Sequence, residues 1–461
     1  MYHRYHIETL TAPDVFPVPS KFQVKVRKRG LAALLIKEII HYRGRMKVVL
    51  SRPCLYGVFS GPVGGFAPRE QFCVGCLRCT TQYPEFVQIS PNPERKRLGD
   101  SYFTSNYVDA ILYEAASGRV PVRGAGYRGK FGGEKWDGMW TDMSEIVRPT
   151  RDGIHGRETI STMIDIGPKP AYLVFDEKGA LVNGHSRTVT VPLPLLIDGS
   201  AANSAGGKTL KILMRATREA ETLLIVPIGA AIEEGGDGAA IIPLVGAGEV
   251  ELLEKLAFKP AIVELEGMDA EQAGEVQRRF PDVHVCVRVE SGNDEELKRY
   301  AEAGIRVFHL VANYHGEWPD GRFMLDVIRD AHKTFVEMGR RDEMTLLGSG
   351  GIIGAEHVAK AILCGLDAVV LDTPPLVAMQ GKFVGECADR RASRFEMPAK
   401  MDEGWGVQRV KNLLGSWRDQ LLEVLGAMGL REVRRLRGEM GRAMFQRDLE
   451  EEAFAEIDGY R

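Results

Sequence analysis

Thr345-Leu-Leu-Gly-Ser-Gly-Gly-Ile-Ile-Gly354 runs straight into Ala355-Glu-His-Val-Ala-Lys-Ala-Ile-Leu-Cys364, and Ala368-Val-Val-Leu-Asp372 follows after Gly365-Leu-Asp367. The outer pieces are short apolar runs and the middle one is apolar at helical spacing, so the stretch reads as strand, glycine turn, helix, strand. That unit repeats upstream from Val191. Strands are expected at Leu193–Asp198, Leu223–Gly229, Ala240–Gly246, Ala261–Glu266, His284–Val289, Val307–Ala312, Thr345–Gly350 and Ala368–Asp372. Helices are expected at Lys208–Glu219, Glu249–Ala257, Ala270–Arg279, Asp294–Ala303, Phe323–Met338 and Ala355–Cys364, with a glycine-rich loop between Leu223 and Ala240. Eight parallel strands close a (β/α)8 barrel, whereas five or six would leave an open doubly wound sheet. The fold class is therefore α/β, a TIM barrel.

The flanks have a different texture. Residues 1–115 form an N-terminal module holding a cysteine cluster, with a helix expected at Leu31–Tyr42. Residues 116–398 hold the barrel and a Gly/Arg-rich lead-in, and 399–461 form a helical extension in which Leu413–Met428 and Leu430–Phe445 read as a pair split by Gly429. Hydrophobic content of 44% and charged content of 27% belong to a globular chain. A net charge of −3 gives no general attraction to nucleic acid or an anionic membrane. Apolar runs such as Leu31–Ile36 fall short of the roughly 20 residues a membrane span needs, and the first residues carry no apolar signal core. A cytoplasmic location is the expectation.

Four of the seven cysteines, Cys54, Cys73, Cys76 and Cys79, crowd into the N-terminal module. Cys73-Val-Gly-Cys76-Leu-Arg-Cys79 holds three thiolates in a tight turn, and Cys54 can complete a tetrahedral set. In ferredoxin-type runs a fourth cysteine follows shortly and precedes proline; here that place reads Thr80-Thr-Gln-Tyr-Pro84. The spacing points to an iron–sulfur cluster, [4Fe–4S] with Cys54. Structural zinc and metal-free buried thiols are the alternatives.

In a closed parallel barrel the reactive face lies at the C-terminal ends of the strands. Gly348, Ser349, Gly350 and Gly351 open the helix after the seventh strand, where backbone N–H groups and the helix N-terminus suit a phosphate; Asp372 and Thr373 end the eighth. A mere tight turn is the plainer reading of the glycines. Arg288 shares one strand face with His284 and Cys286. It either ion-pairs with Glu264 or Glu266, or faces the edge of a flavin or a substrate carboxylate. His315, in Asn313-Tyr-His315 after the sixth strand, is a candidate proton donor, though a lone histidine is often simply hydrogen-bonded. His155 lies among arginines in the lead-in and its position cannot be read from the sequence.

Pro121-Val-Arg-Gly-Ala-Gly-Tyr127, Leu347-Gly-Ser-Gly-Gly-Ile-Ile-Gly-Ala-Glu-His-Val-Ala-Lys-Ala361, Asp372-Thr-Pro-Pro-Leu-Val-Ala378, Arg409-Val-Lys-Asn412 and Leu421-Leu-Glu-Val-Leu-Gly-Ala-Met-Gly-Leu430 together resemble the FMN-binding region of glutamate synthase, in its stand-alone form. The resemblance implies an FMN- and Fe–S-dependent oxidoreductase acting on a 2-oxo acid or imine, and an electron-donor protein or reductase subunit as partner. It implies that Gly350, Gly351 and Thr373 hold the FMN phosphate, and that Arg288 stands where the family has a lysine near the flavin. The cation is kept and its shape changed. Where the family has a three-cysteine loop after strand 8, Met379–Cys387 keeps only Cys387, so electrons would arrive through the N-terminal cluster or directly from a donor. The sequence shows no amidotransferase nucleophile, which leaves ammonia to come from solution or another subunit. Pro374 and Pro375 remove two backbone donors near the expected phosphate. The alternatives are a non-catalytic FMN/Fe–S electron-transfer or assembly subunit and a barrel without cofactor.

Overall fold

The computed structural model describes residues 5–49, 54–121, 133–141, 159–170, 172–182, 188–204, 206–236, 238–267, 269–457 and 459. Most of the Gly/Arg-rich lead-in, from Val122 through Gly132 and again around His155, lies outside the described residues. The chain forms two compact units, one built on Asp14–Ser105 and the other containing the barrel and the C-terminal helices.

Eight strands close the barrel: β1 Leu195–Asp198, β2 Leu224–Pro227, β3 Ile241–Val245, β4 Ile262–Glu266, β5 His284–Val289, β6 Val307–Val311, β7 Thr345–Ser349 and β8 Ala368–Leu371. Each pairs in parallel with its sequence neighbours, and the ring shuts where Val369, Val370 and Leu371 of β8 meet Leu195, Leu196 and Ile197 of β1. The strands are apolar without alternation because side chains of both faces are buried, inward into the barrel and outward beneath the helices. Helix starts follow local chemistry. Asn293 and Glu296 form a capping box for Asp294–Glu302, and the Asp269 carboxylate accepts from the N–H groups of Glu271 and Gln272 to start Ala270–Arg279.

Three expected elements differ. The β2–β3 connection holds a helix, Ile228–Glu234, because Ile228 and Ala231 find buried positions before Gly235 at φ +66° stops it. Glu249–Ala257 is a 3-10 turn, Val250–Lys255, and not an α-helix. The expected second C-terminal helix does not form. One long helix, Glu403–Ala427, capped by the Asp402 carboxylate, is followed by short turns and by strand Ala443–Phe445, which pairs antiparallel with Met139–Thr141. The apolar period there is overridden by ion pairing. Arg437 reaches Asp367 at 2.9 Å and Asp342 at 2.7 Å, and the chain reverses at Gly438 with φ +72°.

The long helix buries Arg409 completely; its guanidinium donates to the carbonyls of Ala12, Leu112 and Ala378. Asn412 donates to the carbonyls of Leu10 and Ala115, so this helix fastens the first residues of the chain to the barrel unit.

In the other unit, Phe22–Val26 pairs antiparallel with Val87–Pro91, and Val24, Val58 and Cys73 form a small core. So few apolar side chains stabilise only weakly, and a metal centre would add much.

Candidate functional site at the barrel mouth

A cavity of about 630 Å³ opens at the C-terminal ends of β2 to β6. Pro227, Ile228, Leu244, Val311, Tyr314 and Trp318 supply its apolar walls, and Arg288 and Arg390 reach it from the barrel side.

Beneath it lies a buried ionic network. Arg288 of β5 donates to Asp198 of β1 at 2.8 Å, to Glu264 of β4 at 3.2 Å and to Glu290 at 3.3 Å. Arg288 therefore makes the expected ion pair with Glu264, and it also lines the mouth. Arg390, from the loop after β8, donates to Asp372 at 2.8 Å, to the Ser349 hydroxyl at 3.0 Å and to the Ala312 carbonyl at 2.6 Å, with Asp198 at 3.4 Å. Its guanidinium also lies 4.7 Å from the centre of the Tyr314 ring. Burial opposes ionisation of Asp198, but Arg288 and Arg390 outweigh it and hold the carboxyl well below the ordinary range. Asp372 shifts the other way: burial, helped by Asp198, raises it against the pull of Arg390 and the Thr373 amide.

His309, in the middle of β6 and fully buried, places Nδ1 2.9 Å from Glu264 and Nε2 3.0 Å from the Ser349 hydroxyl. A ring that donates from Nδ1 to Glu264 is left to accept at Nε2 from the Ser349 hydroxyl. The network links β1, β4, β5, β6, β7 and β8 through side chains alone.

The group expected to hold phosphate is assembled but occupied. Gly348 sits inside β7, where a Cβ would come within 2.6 Å of Leu366. Gly350, at φ +100°, passes so close to β6 that a Cβ would lie 2.5 Å from the Asn313 carbonyl. The Gly351 N–H donates to the Tyr314 carbonyl at 3.2 Å, and the Gly351 carbonyl accepts from the Trp136 indole at 2.9 Å. Thr373 spends its N–H and hydroxyl on Asp372, at 2.6 and 3.2 Å. Pro374 and Pro375 begin a short helix, where their missing donors cost nothing. None of these residues lines the cavity among the described residues. His315 is buried on the loop after β6, its N–H donating to the Asn313 side chain, and it too lies off the cavity wall.

In the smaller unit, Cys73 is buried, Cys54 and Cys79 are half-buried and Cys76 is exposed. Gly75 at φ +69° and Leu77 at φ +61° bend the chain between them. Burial pushes the Cys73 and Cys79 thiols up, and mutual repulsion among the four sulfurs adds to this. That is the signature of thiolates brought together without the positive charge that would ionise them. Among the described residues, no three of these sulfurs lie within 4.8 Å of one another.

Sequence reading missed Asp198, Glu264, His309 and Arg390 as a set. Glu264 and His309 did carry a signal: His309 is the one polar residue of an otherwise apolar strand, and Glu264 interrupts an apolar run as Arg288 does. Arg390 carried none, because nothing in the spacing of a surface-like loop says that it folds back over the ring.

Comparison with known proteins adds the family context. Residues 321–431, which take in β7, β8 and the whole of the long helix, match a model of the conserved region in glutamate synthase. The archaeal-type glutamate synthase [NADPH] of Dehalococcoides mccartyi is 23% identical over 438 residues, covering 80% of this chain and 86% of the relative. The archaeal glutamate synthase [NADPH] of Methanocaldococcus jannaschii is 35% identical over 112 residues, but that alignment takes in 23% of this chain and 22% of the relative. Among solved structures, a mutant flavocytochrome b2 with benzoylformate aligns over 70% of this chain and 83% of its own, at 14% identity and a TM-score of 0.42. At that level the likeness carries no argument, and the closed barrel rests on the strand pairing itself. From the helix before β7 to the end of the long C-terminal helix, the chain is similar to the conserved region of glutamate synthase.

Proposed function

We propose that the chain is an oxidoreductase of the glutamate synthase type, using FMN at the barrel mouth and a [4Fe–4S] cluster on Cys54, Cys73, Cys76 and Cys79 to act on a 2-oxo acid or its imine. One observation carries this reading: a cavity of about 630 Å³ with Arg288 at its base opens at the C-terminal face of a barrel that contains the conserved region. Its volume falls in the ~300–1,000 Å³ range of small-molecule and cofactor sites.

The two ends of the flavin fare differently. The apolar walls and the volume suit a planar ring system. The phosphate end does not fit the donors expected from the sequence, because the Gly351 and Thr373 amides are already used and the Asp372 carboxyl stands beside them. FMN, when bound, would supply hydride transfer. The chain's own residues perform simpler tasks. Arg288 keeps a fixed positive charge below the cavity, held by Asp198 and Glu264. Burial raises the Tyr314 hydroxyl above its ordinary pKa, so it remains a hydrogen-bond donor.

The four-thiolate set without histidine suits a cluster. Tetrahedral zinc, at ~2.3 Å from each thiolate, would draw the sulfurs to about 3.8 Å of one another. A [4Fe–4S] core, in which each iron takes one thiolate, would hold them farther apart.

A second reading, a non-catalytic electron-transfer or assembly subunit, is favoured by the full commitment of Arg288 and Arg390 to carboxylates. Anaerobic purification with flavin, iron and sulfide quantification tests the cofactors. Reduced flavin that is reoxidised by 2-oxoglutarate with ammonia supports the enzyme. Bound flavin that no 2-oxo acid or imine reoxidises supports the subunit, and protein without flavin defeats both.

A further inference from the structure

On the face opposite the mouth the chain leaves the barrel as a two-stranded arm. Ile164–Ile166 pairs antiparallel with Val189–Val191 as its stem, and the Gly167 N–H donates to the hydroxyl of Thr345, the first residue of β7. Between the stem strands, residues 172–182 form a tight hairpin. The Asp176 carboxylate accepts from the N–H groups of Lys178 and Ala180, Gly179 turns at φ +78°, and the Val182 N–H donates to the Val174 carbonyl at 2.8 Å. Every residue of this hairpin is exposed, among them Tyr172, Leu173, Val174, Phe175, Leu181 and Val182. Neighbouring residues of a strand point to opposite faces. Val174 and Phe175 are 40% and 58% exposed, and Leu181 and Val182 41% and 62%, so both faces of the ribbon stand open to solvent. A lone two-stranded ribbon is marginal in water, and an apolar surface of this kind marks a contact with another molecule.

A cavity of about 220 Å³ lies at the foot of the arm. Ile164, Pro170 and Val433 give it apolar walls, and Lys169, Arg434 and Arg437 reach it from its rim. That volume holds a phenyl ring, since about 150 Å³ takes benzene. Its charge is uneven. Asp367 alone accepts from Arg341, Lys169 and Arg437, while Arg437 is shared with Asp342 and Arg434 pairs with Asp165. Four cations against three carboxylates leave one positive charge, and Asp342 is itself mostly in water. The hairpin tip reads Phe175-Asp176-Glu177-Lys178, a ring beside two carboxylates and one ammonium group. It therefore offers what the cavity lacks, an apolar ring and a negative charge. Phe175 does not line the cavity of its own molecule.

We infer that two copies of this chain pair by exchanging arms, each laying Phe175 and Glu177 into the cavity at the foot of the other's arm. The occupant is a second copy because arm and cavity share one stem and one face. A two-fold axis then satisfies both contacts at once and closes the assembly, whereas an unrelated protein that covered the arm would leave the cavity open. Both barrel mouths lie on the far side and stay accessible.

Sedimentation of the full chain over a concentration series tests the pairing. The parent should be a dimer at micromolar concentration. Phe175→Asp, at an exposed position that leaves the thermal melt unchanged, should raise the dissociation constant at least about tenfold. Arg434→Glu should weaken the dimer several-fold, with its melt checking the fold, and the difference should shrink as salt rises. Mixing the two variants carries the sharper reading. One has an intact cavity and the other an intact tip, so the mixed pair keeps one sound contact and should associate more tightly than either variant alone. A parent that stays monomeric overturns the inference and leaves the arm to another protein. A dimer that Phe175→Asp leaves equally tight overturns it too, as does a mixture no tighter than its components.

Discussion

Arg390 donates to Asp372 across 2.8 Å, although one belongs to a loop and the other to the residue just past the last barrel strand. The contact shields Asp372 almost completely from water, together with Ser349 and Asp198. A loop side chain thereby becomes part of the barrel interior.

Removing that guanidinium strands buried carboxylates. Arg390→Ala should destabilise the protein by about 3 kcal/mol, the usual cost of breaking a buried pair from one side. Adding Asp372→Asn should recover part of the loss, because the stranded charge is gone. Denaturant midpoints of the two single variants and the double variant give the coupling, expected at about 1–2 kcal/mol.

Gly350 separates packing from phosphate binding. A Cβ there would press on the carbonyls of Asn313 and Ala312 at 2.5 and 2.8 Å, and its φ of +100° disfavours any side chain. Gly350→Ala should cost about 2–3 kcal/mol in flavin-free protein. If its melting curve matches that of the parent, the glycine is not there for close approach of β6 and β7.

The cysteine set makes a sharper statement. Cys73→Ser or Cys79→Ser should abolish bound iron and make the Asp14–Ser105 unit sensitive to protease, since its apolar core is small. Iron content by colorimetry checks the first part. Zinc in place of iron, released by chelator, would mean that the thiolates close around a single ion.

Stability should also respond to pH through His332. Burial and the neighbouring Arg341 and Arg437 lower its pKa to about 4, and Nδ1 accepts from Arg341 at 3.0 Å. The folded state keeps the ring neutral, whereas the unfolded chain protonates it near its ordinary value. The stabilisation is therefore full above about pH 6.5 and is lost as pH falls towards 4. His332→Asn, which keeps an acceptor for Arg341, should flatten that loss. Denaturation midpoints between pH 4 and 7 would reveal it, and an equal slope in both proteins would contradict it.

How much of this was legible in the sequence depended on range. The eight strands were readable to within a residue or two, because continuous apolar runs of Val, Ile and Leu have few other uses. His284–Val289 and Ala355–Cys364 match their expected bounds. The region after Leu430 was misread because helical spacing says nothing of Asp367 and Asp342, which draw Arg437 out of a helix. The site divided in the same way. Gly348–Gly351 and Asp372–Thr373 do come together at the ends of β7 and β8, yet their donors are consumed by Tyr314, by Asp372 and by close backbone approach. Long-range partners of that kind leave no local trace.

The seam between β8 and β1, only three residue pairs long, has a consequence for assembly. Arg390 sutures it from above by touching Asp198 at the end of β1 and Asp372 beyond β8. During synthesis the first of these partners emerges early and waits while almost two hundred further residues are made. Arg390 can close the ring from above only when the loop after β8 has left the ribosome.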